Sequence, residues 1–389
     1  MLASVVFLFL GGALFAQADR LERFQANFAS SNLQTKLEIL RVADTEDPAA
    51  FGPLYGQALS FVVSNAEDLD SEPVLRELAL VSIRRIEAGG YEPAVNDLWR
   101  LFRLYPDTGT RIEVASVLAQ LAGTSEQTIT YIDQWVQTQN NLSRAGTRID
   151  LQVLTAVIET LGEIASPSSF PAVIDTILTQ HPDFVTDTAL ASLQELDGVP
   201  LEMATAVVLE RDIPNRFAPF EFFMTGDYLS EADRAELARV TLADTLQARP
   251  QEVVVQEEAR RIRFAAADVL RDAEYSVATA AVIRHFNETV LEWERTRIAK
   301  TRLLEAIATL GAMGTEDAAT RLTDYLELLN TYSEIDRPYD TQIMLAVIQN
   351  LQILDVPASY NALFYTTLLE NYPSRVRDAA REAMQAVSQ

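Results

Sequence analysis

An apolar pattern recurs eight times along the chain, at an interval of about 38 residues. In each copy, the residues 4, 7, 8 and 11 positions after the starting point are apolar, apart from two serines. These four offsets lie on one face of a helix. The starting points are Leu75, Thr110, Asp150, Val185, Ile262, Ala299, Asp340 and Val376. Because a lone helix cannot bury such a face, the interval predicts helices that stack side by side.

A basic residue directly follows the starting point in five of the eight copies, although Lys and Arg make up only 31 of 389 residues. These residues are Arg76, Arg111, Arg263, Lys300 and Arg377. The repeat therefore includes a position outside the apolar face.

Second amphipathic segments lie between the repeated helices, which predicts a helix pair in each unit. They span residues 93–105, 126–138, 167–180, 277–292, 316–329 and 358–370. Pro93, Pro167 and Pro357 stand at the start of three of them, where the missing N–H of proline is tolerated.

Glycines follow the repeated helices at several points, where a helix end favours a positive φ. They are Gly89-Gly90, Gly123 and Gly162. No Gly or Pro occurs in 276–310, so a single long helix there is an open alternative to a pair.

Two of the repeated helices carry a recognisable pattern, Val376-Arg377-x-Ala379-Ala380-x-x-Ala383-Met384 and Ile262-Arg263-x-Ala265-Ala266-x-x-Val269-Leu270. Both resemble the inner helix of HEAT repeats, and Leu161-Gly162 followed by Ser166-Pro167 resembles the turn between them. The resemblance implies an all-α fold, a curved, right-handed α-α superhelix of helix pairs. It implies scaffold or binding roles in general and no particular partner.

The sequence divides into five predicted segments. They are a signal peptide (1–18), an N-terminal helical cap or degenerate repeat (19–74), HEAT-like repeats (75–198), a region in which the pattern fails (199–261) and further HEAT-like repeats (262–389). The fourth segment, rich in proline and phenylalanine, is either a degenerate repeat or a break between two arrays.

The N-terminus has the pattern of an export signal. Leu2 to Phe15 is an uncharged apolar run, and Ala16-Gln17-Ala18 has the small residues that a signal peptidase requires. We expect cleavage after Ala18 and an exported protein, periplasmic or secreted. The run is shorter than the ~20 residues of a membrane span, so no membrane insertion is expected after cleavage.

The charge balance excludes two classes of partner. The formal net charge is −25, and nucleic acids and anionic lipid surfaces are bound chiefly through Lys and Arg. The absence of cysteine excludes disulfides and thiolate metal sites.

No catalytic, cofactor or metal site is predicted. His181 and His285 are the only histidines, and the sequence contains no nucleotide, zinc or calcium motif. A Ser-His-Asp arrangement assembled by the fold remains open, and chance pairs among the 56 acidic residues carry no weight.

Five arginines concentrate positive charge in this acidic chain, namely Arg260, Arg261, Arg295, Arg297 and Arg302. They are candidates for binding an acidic segment of a partner. The alternative is that Arg263 and Lys300 form ion pairs between repeats while the others are ordinary exposed charges.

Tyr332 and Tyr339 fall in 330–339, which is longer than a repeat turn requires. A loop that displays both tyrosines to a partner is one interpretation, and a plain connection is the other. Trp99, Trp135 and Trp293 are expected in the core.

These observations favour an exported scaffold or adaptor that binds a protein or peptide partner of unknown identity. One alternative is an enzyme-associated subunit, since some HEAT-like repeats accompany pigment-lyase activities. Another is a structural envelope component that self-associates through its ends. The oligomeric state is left open.

Overall fold

The computed structural model describes residues 18–196, 200–335 and 339–387. It confirms the all-α fold class, and the described residues contain no strand. The chain forms two compact units, of which the second begins at Pro200. Apart from Ala18, the predicted export signal lies outside the described residues.

The first unit contains ten helices in its described part. They are α1 (18–30), α2 (Leu33–Ala43), α3 (Pro48–Ser64), α4 (Pro73–Gly89), α5 (Val95–Leu104), α6 (Thr108–Leu121), α7 (Glu126–Arg144), α8 (Leu151–Ile164), α9 (Phe170–Leu178) and α10 (Asp183–Glu195).

The described part of the second unit also contains ten. They are α11 (Leu201–Leu209), α12 (Phe217–Thr225), α13 (Glu231–Gln247), α14 (Val253–Asp272), α15 (Thr279–Glu294), α16 (Lys300–Ala312), α17 (Glu316–Glu334), α18 (Thr341–Leu354), α19 (Tyr360–Leu368) and α20 (Ser374–Val387).

The helices of each unit form two layers of stacked pairs. From α3 onward, each odd-numbered helix packs against the even-numbered helix that follows it. Within a unit, successive even-numbered helices contact one another, as do successive odd-numbered helices from α3 onward. Each pair therefore touches chiefly the pair before and the pair after, as the interval predicts.

The eight repeated helices are α4, α6, α8, α10, α14, α16, α18 and α20, all in the even-numbered layer. Of their thirty-two apolar-face positions, all but three half-buried ones, Val269, Ala273 and Met384, are buried. Ser192, one of the two serines, donates from Oγ to the Ile158 carbonyl at 2.9 Å, so its hydroxyl links α10 to α8. The apolar face thus forms the core between pairs.

The predicted proline boundaries are confirmed. Short 3-10 turns containing the three prolines, Glu92–Ala94, Pro167–Ser169 and Pro357–Ser359, precede α5, α9 and α19. Each supplies a fixed φ where a helix begins.

The glycine boundaries are only partly right. Gly90 ends α4 with φ of 60°. Gly123, in contrast, lacks a positive φ, and Gly162 lies inside α8, where a Cβ would come within 2.8 Å of the Ser192 side chain. Gly162 is therefore required by close helix packing and not by a turn, and α8 ends at Ala165 with φ of 53°.

A single long helix across 276–310 is wrong. The helix stops at Glu294 and resumes at Lys300, and Thr296 adopts φ of 56° between them. The turn has no sequence signal because a threonine takes the left-handed conformation that glycine usually supplies.

The extended loop at 330–339 is also wrong, because α17 continues to Glu334. Tyr332 is thus helical and half-buried, and its hydroxyl donates to Glu294 Oε1 at 2.9 Å. The Tyr339 hydroxyl donates to the Asn371 carbonyl at 2.8 Å, and its ring packs edge-on against Tyr372. Both tyrosines join neighbouring elements of the second unit.

The region in which the pattern fails begins, after the undescribed 197–199, with two short helices, α11 and α12, followed by the longer α13. Phe220 and Phe223 of its aromatic cluster are buried.

Of the tryptophans, Trp99 is buried, whereas Trp135 and Trp293 are half-buried. In the described part of the chain, no helix has the length and apolarity needed to cross a membrane.

A longer internal similarity is visible in α7–α9 and α17–α19. Residues of the first segment match residues 190 positions later, with no insertion, at Asn140 and Asn330, Ser143 and Ser333, Asp150 and Asp340, Pro167 and Pro357, and Thr176 and Thr366. The two segments therefore hold equivalent structural positions in the two units.

Candidate partner-binding cleft

A cleft of about 300 Å³ opens in the second unit beside the end of α13, the first half of α14 and the end of α15. Its charged residues are Arg249, Arg260, Arg263, Arg297, Glu288 and Glu292. The apolar part of the lining comes from Leu246, Ala248, Pro250 and Ala259. We refer to it as the arginine cleft.

An ion triplet forms one wall of the arginine cleft. Glu292 accepts from Arg260 Nε at 3.1 Å and also from Arg263 Nη2. The three side chains are only 12%, 15% and 5% exposed, respectively. A second carboxylate, Glu257, pairs with Arg260 from its exposed side. This wall is therefore rigid and largely neutralised.

Arg249 and Arg297 carry the positive charge that remains available. Both side chains are exposed, and neither has a carboxylate within 4.0 Å among the described residues. The cleft lining has four guanidinium groups against two carboxylates, whereas the whole chain has a net charge of −25. The arginine cleft is thus a local site of positive potential on an acidic protein.

Arg249 and Arg297 both lie in loops whose backbone is fixed by hydrogen bonds. Arg249 follows the end of α13, and the Gln256 side chain donates to the neighbouring Pro250 carbonyl at 3.0 Å. The Arg297 N–H donates to the Glu292 carbonyl at 2.9 Å and closes the turn after α15. Their guanidinium groups therefore project from fixed points.

His285 lies behind the ion triplet and is fully buried. Its ring packs edge-on against Phe264, with centroids 4.9 Å apart. Burial, together with the charge of Arg263, lowers the pKa of His285 well below its usual value. The imidazole is therefore neutral and adds no charge to the arginine cleft.

Of the five arginines of the predicted patch, Arg260 and Arg297 line the cleft. Arg261 lies over the Phe217 ring, 3.5 Å from its centroid. Arg302 pairs with Glu305 at 2.8 Å, and Arg295 ends α15 as an exposed residue.

Three of the five basic residues after the repeat starting points have structural roles. Arg263 pairs with Glu292 and Lys300 with Asp340, in each case between neighbouring helix pairs. Arg111 Nε donates to the Phe102 carbonyl at 2.8 Å and so caps the last turn of α5.

Sequence reasoning missed Arg249. It lies 48 positions before Arg297, in a part of the chain where the apolar pattern fails. No local pattern marks Arg249, because it lies in the connection between α13 and α14.

Comparisons with known proteins do not assign the chain to a family. No family model matches it, and no curated protein matches it. It is similar to the crystal structure of an engineered protein from a structural genomics consortium, with 16% sequence identity and a TM-score of 0.30. That similarity covers 92% of this chain and 100% of the engineered chain.

Proposed function

We propose that this protein is an exported scaffold or adaptor of the HEAT-repeat type whose arginine cleft binds an acidic segment of a protein or peptide partner. The supporting observation is the pair of arginines, Arg249 and Arg297, which have no carboxylate partner in the described part of the chain and lie beside a neutralised wall. Guanidinium groups favour carboxylates because two parallel N–H groups match the two carboxylate oxygens.

The size and charge of the cleft limit the ligand. A volume of about 300 Å³ admits one or two side chains and not a folded element. The net charge of −25 on the whole chain repels a dense polyanion, which disfavours nucleic acid. Leu246, Ala248 and Pro250 favour an apolar residue next to the acidic one. The preferred ligand is therefore a short acidic segment with an apolar neighbour.

The stacked helix pairs provide a rigid frame for the arginine cleft. The arginine cleft is built by consecutive pairs whose buried faces fix the helix positions, so the backbone that carries the arginines needs little reordering when a ligand binds. Export of the chain and the absence of cofactors and metals remain parts of this proposal.

Site-specific photocrosslinking in the native cells tests the function. A photoreactive residue replaces the exposed Gln251, which directly follows Pro250 of the cleft lining, and a control carries it at the exposed Val277. We expect one reproducible protein adduct at 251 and none at 277. The adduct should disappear when Arg249→Gln and Arg297→Gln are added. Equal adducts at both positions, or an adduct indifferent to the two arginines, would contradict the proposal.

A further inference from the structure

A second cavity, of about 660 Å³, lies in the first unit where α7 ends, where the connection to α8 runs and where the chain leaves α9. Its lining includes Ser143, His181, Arg148 and Gln180. Ser143 is half-buried and His181 is 9% exposed. A serine and a histidine thus meet at the wall of a polar cavity, 38 positions apart in sequence.

Hydrogen bonds fix which atoms of Asn140 face its neighbours. Thr176 Oγ1 donates to the Ala172 carbonyl at 3.0 Å, so it can only accept from Asn140, whose Nδ2 lies 3.0 Å away. The Asp175 carboxylate, paired with Arg144, accepts from the same Nδ2 at 3.2 Å. Asn140 Oδ1 is consequently the atom that faces His181.

That orientation fixes the imidazole tautomer. His181 Nε2 lies 2.9 Å from Asn140 Oδ1, so Nε2 carries the hydrogen and donates it. Nδ1 keeps a free lone pair, and it lies 3.5 Å from Ser143 Oγ. Burial, with the charge of Arg144, lowers the pKa of His181, while Asp175 acts in the opposite direction. The ring is therefore a neutral base directed at the serine.

The Ser143 hydroxyl faces a side chain and not a carbonyl of its own helix. Ser82, Thr160 and Thr176 donate to the carbonyl four residues earlier. Ser143 Oγ has His181 Nδ1 as its one hydrogen-bonding neighbour among the described residues. Distances between nucleophile and base are often longer without substrate than during reaction.

The cavity also offers donors for a developing negative charge. The guanidinium of Arg148 is exposed and has no carboxylate partner within the described residues. The backbone N–H groups of Arg148 and Ile149, in the same lining segment, donate to no described acceptor. Donors of both kinds stabilise oxyanions.

The second unit provides an internal comparison, 190 positions later. Asn330 donates to Thr366 Oγ1 at 3.1 Å, so the asparagine–threonine framework is retained. Asn371 stands in place of His181, and Tyr339 and Tyr372 stand in place of Ile149 and Pro182. Tyr372 is buried, and the two tyrosine rings lie 4.8 Å apart.

The framework alone therefore does not require a histidine. The histidine is a feature of the first unit, beside a serine that the two units share.

We propose that Ser143 is the nucleophile of an acyl-transfer site in which His181 is the general base and small carboxylic esters are the substrate class. Ser143 Oγ forms a bond to the acyl carbon as its proton passes to His181 Nδ1. The ester C–O bond then breaks, and the alcohol leaves with that proton. Water hydrolyses the acyl-serine by the reverse sequence. This activity goes beyond the proposed scaffold function and does not depend on the arginine cleft.

Labelling of the purified protein with a fluorophosphonate tests the proposal. Attack by Ser143 Oγ forms an O–P bond, breaks the P–F bond and releases fluoride, while the proton passes to His181. We expect the label on Ser143, located by peptide mass spectrometry, and none on Ser333. Ser143→Ala should abolish labelling, and His181→Asn, the residue of the second unit, should slow it on the order of 100-fold.

Circular dichroism and melting temperature show whether each variant keeps the fold. His181→Asn introduces a residue already accommodated at the equivalent position, so it is the less disruptive variant. An unlabelled native protein, an equal labelling rate in His181→Asn, or equal labelling of Ser333 would overturn the proposal.

Discussion

Asp133 gives a sharp test of packing in the first unit. Its side chain lies on α7, is 9% exposed, and has one oxygen, Oδ1, without a hydrogen-bond partner among the described residues. Burial raises the pKa of Asp133 to about 6 from 3.8, and the nearby Ser169 hydroxyl offsets part of the rise. The folded protein therefore holds this proton at pH values where the unfolded chain releases it.

The sign and size of the effect follow from these two pKa values. Between pH 3.8 and about 6 the folded state binds more protons, so stability falls as the pH rises through this window. From pH 5.0 to 7.5, the folded state loses about 1.4 kcal/mol through this group. Because Asp133→Asn cannot ionise, its advantage over the parent should grow by about 1.4 kcal/mol across the same interval.

Urea unfolding of the first unit measures this difference. In a Trp293→Phe background, Trp99 and Trp135 are the remaining tryptophans, and both lie in the first unit. Their fluorescence therefore reports that unit. Asp187→Asn, at an exposed position, serves as the control for the change in net charge. Parallel pH curves for Asp133→Asn and its parent would refute the buried, ionisable Asp133 of this structure.

Three further predictions concern stability. Glu292→Gln removes the carboxylate that Arg260 and Arg263 share, and urea unfolding should show that the free energy of unfolding falls by about 3 kcal/mol. A fall of less than about 1 kcal/mol would contradict the buried ion triplet. Gly162→Ala forces a Cβ against Ser192 and should cost about 1–3 kcal/mol, whereas Gly123→Ala, with nothing within 4 Å, should stay within about 0.5 kcal/mol. Equal effects of the two would mean that α8 and α10 are not in close contact. His285→Phe removes two buried ring nitrogens that have no hydrogen-bond partner among the described residues, so thermal and urea unfolding should show a gain of about 1 kcal/mol, and a loss would reveal a partner for the ring.

The helices of the even-numbered layer could be predicted because their buried faces require apolar residues at fixed spacings within a short stretch of sequence. Each apolar face repeats within eleven residues, as in Leu154, Val157, Ile158 and Leu161 of α8, and every one of these side chains is buried. Proline marked helix starts for the same local reason.

Helix ends without glycine could not be predicted. Ala165, Glu274, Thr296 and Asp355 adopt positive φ although none is glycine, because the packed helices on either side determine where the chain turns. Gly162 is the opposite case, since a glycine near a predicted helix end serves a close helix contact and not a turn.

The two candidate sites depend on contacts between helix pairs, and a single helix pattern does not contain them. Arg249 and Arg297 come from loops, and Ser143 reaches His181 only because α7 and α9 stack. The 190-position similarity was the signal that could have drawn attention to the second site. It shows that Asn140 and Ser143 recur while His181 does not.

Direct binding to the arginine cleft tests the central proposal most closely. A fluorescein-labelled peptide with two adjacent glutamates in an apolar sequence is titrated with the protein, and anisotropy is recorded at about 50 and about 200 mM salt. We expect saturable binding that weakens with salt, is lost in the Arg249→Gln, Arg297→Gln variant, and is absent for the same peptide with glutamines. Equal affinity for both peptides, or binding unchanged in the variant, would contradict recognition of an acidic partner at this cleft.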